Sequence, residues 1–138
     1  MTAKQNNKNK KKKSIVIVIC DIHIFISFNN IIVCVTATDG RVVAWSSGGK
    51  MGFKGTRCST PHAAKLTVED AIKQAFVKSP EIKSIRSIIV KGICPSRDAA
   101  VREVMQIATM RNMPPIEYVK DITPVAHNGC KPPKRRRV

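Results

Sequence analysis

The chain has 138 residues, of which 43% are hydrophobic and 4% are aromatic, and its formal net charge is +16. This length and apolar content support one globular core, and the few aromatic residues argue against single-strand binding modules built on aromatic platforms. Residues 1–20 contain six lysines and residues 122–138 contain five lysines and arginines, with no acid in either segment, which favours a polyanionic partner such as nucleic acid over mere solubility.

The chain begins with a lysine-rich and asparagine-rich segment, residues 1–13, which we expect to be disordered until it meets a negative surface. An apolar run follows at residues 14–28, and lysines before an apolar run are also typical of a signal peptide. We reject that interpretation because Asp21 and His23 interrupt the run, no small-residue cleavage site follows, and β-branched residues dominate. The run predicts a β-strand instead.

Turn signals divide the next segment into strands. Phe28-Asn29-Asn30 predicts a turn, after which residues 32–38 resume an alternating apolar pattern. The pair Asp39-Gly40 is a strong two-residue turn signal, and residues 42–45 supply a third strand. The pattern predicts an antiparallel meander in which Trp45 is a core or strand-end residue rather than a stacking platform.

The stretch of residues 45–61 combines flexible backbone with positive charge. It contains four glycines and the cations Lys50, Lys54 and Arg57, and no acid lies between residues 39 and 69. Thr60 can cap a helix that starts at Pro61, so helix N-terminal amides are expected to face the same place. We interpret the stretch as a phosphate-facing loop, with a merely solvated turn as the alternative. Its glycine spacing fits neither the nucleoside-triphosphate loop nor the dinucleotide motif.

The second half of the chain alternates helices with strands. Apolar residues at helical spacing predict a helix from Pro61 to the stop at residues 79–80, with an inner face formed by Ala64, Val68, Ala71, Ile72, Ala75 and Phe76. Residues 85–90 predict a strand. A second helix follows residues 92–97, with Ser96 as its cap and Val101, Val104, Met105 and Ala108 on one face.

The last predicted strand is residues 116–122, so the order is three strands, a helix, a strand, a helix and a strand. That order predicts an α/β fold, with a mixed sheet of about five strands and two helices packed against it. We therefore divide the chain into a tail at 1–13, an α/β domain at 14–122 and an extended basic tail at 123–138.

The residues that carry reactive groups do not form a recognisable catalytic or metal-binding motif. The five cysteines are scattered, with neither a Cys-x-x-Cys motif nor a close histidine, which makes a zinc site improbable and fits a reducing compartment. Neither His23 nor His127 has a serine or cysteine nucleophile beside it in sequence. We interpret His127, in the basic tail, as an RNA contact, and we expect no cofactor and no metal.

Several stretches together resemble one family. Residues 121–138, Asp-Ile-Thr-Pro-Val-Ala-His-Asn-Gly-Cys-Lys-Pro-Pro-Lys-Arg-Arg-Arg-Val, are similar almost residue for residue to the closing motif of the bacterial and organellar S-eleven family of the small ribosomal subunit. The turn at residues 28–30 and the loop and helix start at residues 45–64 also resemble that family, and the resemblance covers residues 22–138. At residues 92–97 the chain keeps the first glycine and the arginine of the family's Gly-Pro-Gly-x-Gly-Arg but not the glycines between them. Ile31 stands where a threonine is usual.

The resemblance implies a structural protein of the ribosomal platform, which binds small-subunit ribosomal RNA and neighbouring ribosomal proteins near the messenger exit region and catalyses no reaction. RNA contacts of this kind are mainly to shape and backbone. The residues expected to make them are Asn29, Asn30, Lys50, Lys54, Arg57, Ser59, Thr60, Arg97, His127, Asn128, Lys131, Lys134, Arg135, Arg136 and Arg137.

The origin and two rival functions remain open at this stage. Heavy use of Lys, Asn and Ile suggests an AT-rich genome, so we expect an organelle ribosome, in a mitochondrial matrix or a plastid stroma, with a reduced bacterium as the third choice. A phosphate-handling enzyme is one rival, but the acids are spread singly except for Glu69-Asp70, whose side chains face different ways on a helix. A free RNA-binding regulator is the other.

Overall fold

A computed structural model describes residues 19–137 of the chain. The predicted tail at residues 1–13, the first part of the apolar run at residues 14–18, and Val138 lie outside the described residues. The strands are β1 (Ile19–Ile26), β2 (Ile31–Ala37), β3 (Val42–Ser47), β4 (Ser84–Lys91) and β5 (Tyr118–Asp121). The helices are α1 (Pro61–Lys78) and α2 (Arg97–Met110), and a 3-10 turn at Gly55–Ser59 precedes α1.

The five strands form one mixed sheet in the order β3-β2-β1-β4-β5. Strands β1, β2 and β3 are joined as an antiparallel meander, whereas β4 pairs parallel to β1 and β5 pairs parallel to β4. Helix α1 connects β3 to β4, which are not neighbours in the sheet, and α2 connects β4 to its parallel neighbour β5, since parallel strands need a crossover connection of this length. The predicted α/β fold with a mixed sheet and two helices is confirmed.

Both helices cover one face of the sheet. On β1 the alternate residues Cys20, Ile22, Ile24 and Ile26 are at most 2% exposed, and they join the buried face of α1 in one apolar core. The inner face predicted for α1 is correct for Ala64, Val68, Ala71, Ile72 and Ala75, which are all buried, while Phe76 packs at the edge of the core. Burial of this face, more than helix propensity, stabilises the helix.

The face of the sheet opposite the helices holds one buried ion pair. Asp21 is 5% exposed, and it accepts hydrogen bonds from Arg86 Nε at 3.0 Å and from Ser87 Oγ at 2.7 Å. A second guanidinium nitrogen of Arg86 also binds this carboxylate. His23 is not among these partners. The polar residue that interrupts the apolar run therefore ties β1 to β4.

Two sequence-based expectations about single residues are wrong, and a third is decided between its alternatives. Trp45, expected as a core or strand-end residue, is 50% exposed near the end of β3 and therefore lies outside the core. Met105 is 43% exposed, because Ala100, Val104 and Ala108, spaced four residues apart, form the buried line of α2. Ser96 precedes α2 with helical φ and ψ and makes no capping bond; its hydroxyl donates to Cys94 Sγ at 3.2 Å instead.

Candidate nucleic-acid interface

One edge of the sheet gathers most of the predicted RNA-contact residues. Strands β1, β3, β4 and β5 all run in the same direction, so they end at the same side of the sheet, and both helices begin there. We call this side the carboxyl edge; it comprises the loops at residues 27–30, 48–60 and 92–97 and the start of the tail at residues 122–123. Loops at the carboxyl ends of parallel strands are the usual place for ligands in such sheets.

The glycine-rich loop at the carboxyl edge is an ordered turn. The amides of Gly52 and Phe53 donate to the carbonyls of Gly49 and Gly48, each at 3.1 Å. The ring of Phe53 packs edge-on against His62 with centroids 5.9 Å apart, and the buried Cys58 thiol donates to the Phe53 carbonyl at 3.2 Å. Phe53 therefore fixes the loop to the start of α1.

Two predicted cations of this loop are free to bind an anion. Lys54 and Arg57 are exposed, and they line an open depression of about 420 Å³ together with Met51, Gly52 and Phe53. No ion pair joins either cation to another side chain within residues 19–137. Their positive charge therefore faces solvent without compensation.

Lys50 lies in the same loop but is occupied by the protein itself. Its ammonium donates to the Trp45 carbonyl at 3.0 Å and to Gln74 Oε1 at 2.9 Å, and it sits 4.9 Å from the centroid of the Trp45 ring. It also lies 3.8 Å from Asp70. Burial raises the pKa of Asp70, but hydrogen bonds from Ser46 and Gln74 and the nearby lysine outweigh it and leave that pKa below its usual value. Lys50 thus joins the loop to α1.

Ser59 and Thr60 shape the start of α1. As predicted, Thr60 is the helix cap: its Oγ1 accepts from the Ala63 amide at 3.3 Å, and it donates to the Arg57 carbonyl at 2.9 Å. Pro61 is the first helical residue. Ser59 Oγ donates to the Thr56 carbonyl at 3.3 Å. Both hydroxyls therefore have bonds inside the chain, and that of Thr60 holds the Arg57 carbonyl beside the positive end of the helix.

The two asparagines of the β1–β2 turn differ in their surroundings. Asn30 Oδ1 accepts from the Ile31 amide at 2.8 Å, and a Cβ atom added to Gly48 would lie 3.1 Å from this oxygen. Asn30 therefore packs the turn against the glycine-rich loop. Asn29 is exposed, and its backbone amide donates to Ser27 Oγ at 3.4 Å.

A polar junction joins the 92–97 loop to the basic tail. Arg97 donates to Asp121 Oδ2 at 2.6 Å, and the Gly92 amide donates to Thr123 Oγ1 at 3.0 Å. Thr123 donates back to Asp121 through its hydroxyl and its amide, at 2.6 Å and 2.9 Å. These bonds from Thr123, followed by that from Arg97, lower the pKa of Asp121 to about 2. Arg97 therefore sets the direction in which the tail leaves the sheet.

The described part of the basic tail beyond this junction has neither helix nor strand. His127, Asn128, Lys131, Lys134 and Arg135–Arg137 are all exposed, and within residues 19–137 they make no ion pair and no side-chain hydrogen bond. The prolines of the tail cannot donate backbone hydrogen bonds, which favours an extended chain. These cations are available to phosphates without rearrangement of the domain.

The side chains that could ligate a metal do not gather into one site in the described part of the chain. Within residues 19–137, no group of three or more His, Cys, Asp or Glu side chains could hold a metal ion. The five cysteines are free thiols, and burial, with a smaller effect of Asp21, raises the pKa of Cys20 to about 12. Neither described helix is long and apolar enough to cross a membrane.

Sequence reasoning missed the residues that hold the carboxyl edge together. His62 packs against Phe53, and Gly92 has φ of +114° with its Cα against the β1 backbone. Neither contact has a local sequence signal, because each joins segments that only the fold brings together. The bond from the Thr123 amide to Asp121 does have one, since Asp-x-Thr is a common side-chain turn.

Comparison with known proteins identifies the family of this chain. A family model described as Ribosomal protein S11 matches residues 20–137. The small ribosomal subunit protein uS11 of Aliarcobacter butzleri is 47% identical over 117 residues, which cover 85% of both chains. That of Aquifex aeolicus is 44% identical over 136 residues, or 99% of both chains, and uS11c of Cycas taitungensis is 44% identical over 117 residues, covering 85% of this chain and 84% of its own. The chain therefore belongs to the ribosomal protein S11 family.

Proposed function

We propose that this protein is a structural constituent of the small-subunit platform and that its carboxyl edge and basic tail hold ribosomal RNA. Family membership carries the general role, which is structural and not enzymatic, with small-subunit ribosomal RNA and ribosomal proteins as partners. It gives no support to a phosphate-handling enzyme or to a free RNA-binding regulator. The observation that supports RNA binding by this surface is its set of exposed cations without an ion-pair partner within residues 19–137, namely Lys54 and Arg57 at the edge and Lys131, Lys134 and Arg135–Arg137 in the tail.

The contacts divide the expected RNA-binding residues into two groups. Lys54, Arg57 and the tail cations have exposed charges with no partner in the described chain, so they can neutralise phosphates at little cost. Arginine suits the closest of these contacts, because its planar group binds two phosphate oxygens at once. Lys50, Thr60 and Arg97 already have intramolecular partners. We propose that this second group acts mainly by positioning the first.

The test compares two pairs of charge removals in the full chain. R135Q/R136Q removes two tail cations, whereas K78Q/K83Q removes two exposed lysines at the opposite edge of the sheet, where α1 ends and β4 begins. Binding to small-subunit ribosomal RNA is measured over a range of salt concentrations. If both arginines contact phosphates, the tail variant should reduce the slope of log K against log salt by about 1.4 to 1.8, and the control by much less.

Incorporation into subunits is measured separately, on sucrose gradients at moderate salt. We expect a chain truncated after Thr123 to keep its fold but to be absent from the small-subunit fraction, because the tail supplies phosphate contacts rather than core burial. Normal incorporation of the truncated chain, or loss of its fold, would contradict this division of roles. A full-length chain found only at the top of the gradient would contradict the ribosomal role itself.

We further propose a position near the messenger exit region of an organelle ribosome. The proposal of an organelle rests on the heavy use of Lys, Asn and Ile in this chain. The relatives do not bear on it, because the two bacterial ones and that of Cycas are similarly distant from this chain. Peptides of this chain should appear in ribosomes from purified mitochondria or plastids. Cross-linking of bound messenger RNA to Arg57 or to the tail tests the position, and cross-links confined to other proteins would refute it.

A further inference from the structure

A cleft between the first turns of α1 and α2 differs in charge from the rest of this basic protein. It has a volume of about 480 Å³ and is lined by Lys65, Pro95, Asp98, Ala99, Arg102, Glu103 and Gln106. Two carboxylates therefore line a single cleft in a chain that has only nine acidic residues. They balance the charges of Lys65 and Arg102, so this cleft lacks the positive excess that favours RNA although it lies next to the 92–97 loop.

Glu103 is the unusual residue of this cleft. It is only 9% exposed, yet no hydrogen bond or ion pair joins its side chain to another residue within residues 19–137. Every fully buried side-chain oxygen or nitrogen among the described residues has a partner. The carboxylate oxygens of Glu103 must therefore be the part of the residue that reaches the cleft. The carboxylate therefore meets solvent only through this cleft and has no donor from the described chain, so it can accept hydrogen bonds from a group bound there.

The surroundings of Glu103 limit what the donor can be. A divalent cation would find too few oxygen ligands here, and no cluster suited to a metal exists in the described chain. A guanidinium group fits better, because its fork of N–H donors can satisfy Glu103 while Asp98 at the rim adds negative charge. Lys65 and Arg102 can then hold the backbone carbonyls of the segment that carries it.

We propose that this cleft is a protein-docking site that takes an arginine side chain from a neighbouring ribosomal protein, with Glu103 as its main acceptor. The inference rests on the proposed ribosomal function, because the partner is a component of the assembled subunit. It assigns the helical side of the protein to protein contact and leaves the carboxyl edge and tail to RNA.

The test is site-specific photo-cross-linking in assembled small subunits. The exposed rim residue Gln106 is replaced by p-benzoylphenylalanine in the full chain, alone or together with E103Q, which removes the charge with little change in shape. E81Q, at an exposed acid beyond the far end of α1, is the matched control. Cross-links are analysed only in the small-subunit fraction of a gradient, so incorporation is scored before docking.

We expect a cross-link to a peptide that contains arginine, with a yield reduced about tenfold or more by E103Q and unchanged by E81Q. A cross-link to ribosomal RNA, no cross-link in incorporated chain, or equal yields in E103Q and E81Q would each overturn the docking site while leaving the ribosomal function intact. Absence of the chain from the subunit fraction would instead overturn the proposed function, and the docking site with it.

Discussion

Substitution of Gly92 by alanine tests how tightly the carboxyl edge is built. Gly92 follows β4 with φ of +114°, and an added Cβ would lie 1.7 Å from the carbonyl oxygen of Ile26 and 2.8 Å from its carbon. The obstacle is backbone at the end of the neighbouring strand β1, so it cannot move aside as a flexible side chain can. Either β1 or the 92–97 loop must shift, and Arg97 with it.

Alanine substitutions at two other glycines separate the two causes of this destabilisation, which are left-handed backbone strain and steric overlap. Gly52 has φ of +87° but open space around its Cα, whereas Gly49 has open space and no left-handed backbone. An alanine in the left-handed region costs about 1 to 2 kcal/mol, and forced overpacking adds about 1 to 3 kcal/mol. We therefore expect the free energy of unfolding to fall by about 1 to 2 kcal/mol in G52A and by about 2 to 5 kcal/mol in G92A, and to change by less than about 0.5 kcal/mol in G49A.

The assay is urea unfolding of the full chain, followed by circular dichroism. With a urea slope of about 2 kcal/mol/M, G92A should lower the midpoint by about 1 to 2.5 M. Equal midpoints for G92A and G52A would show that the β1 carbonyl presents no steric barrier. A large loss in G49A would show that the loop depends on glycine for another reason.

Three further results are expected. T60A should lower the free energy of unfolding by about 1 kcal/mol, because it removes the hydrogen bond from the Ala63 amide. S96A should cost less than half as much, since Ser96 makes no capping bond. Equal losses of the two variants in thermal or urea unfolding would contradict these roles of Thr60 and Ser96. D21A should cost about 2 to 3 kcal/mol, below the usual range for a broken buried pair because the Arg86 side chain is 36% exposed and partly solvated. D39A, in an exposed pair with Arg41, should cost less than about 0.5 kcal/mol. Similar urea midpoints for the two variants would refute a structural role for the Asp21 pair. The pKa of Asp121 lies below its ordinary value, at about 2, so its bonds to Thr123 and Arg97 stabilise the junction above about pH 4, and that stabilisation is lost as the pH falls towards 2. In an NMR titration, the Gly92 and Thr123 amide shifts should change over this window in the natural chain and not in D121N. A transition that persists in D121N would contradict the assignment.

The local features of the fold could be predicted because their causes are local. The turns at residues 28–30 and 39–40, the cap at Thr60 with Pro61 after it, and the apolar spacing of α1 each depend on neighbours in sequence. The mixed sheet followed from the order of these elements. The excess of cations in the tail also needs no tertiary information, because residues that pack against nothing keep their charge exposed.

Only the tertiary structure determined which polar groups are already bonded and which are free. Lys50 and Arg57 look alike in the sequence, yet Lys50 binds Gln74, 24 residues away, while Arg57 faces solvent. Asp21 meets Arg86 across 65 residues, and Glu103 looks like any exposed helical acid in the sequence although it is only 9% exposed in the fold. Such contacts depend on how helices and strands pack, and a sequence pattern with a period of two or four residues carries no record of that packing. The sequence by itself therefore determined the family, the elements and the charged tail, whereas packing decided which cations already have partners inside the protein and which face solvent.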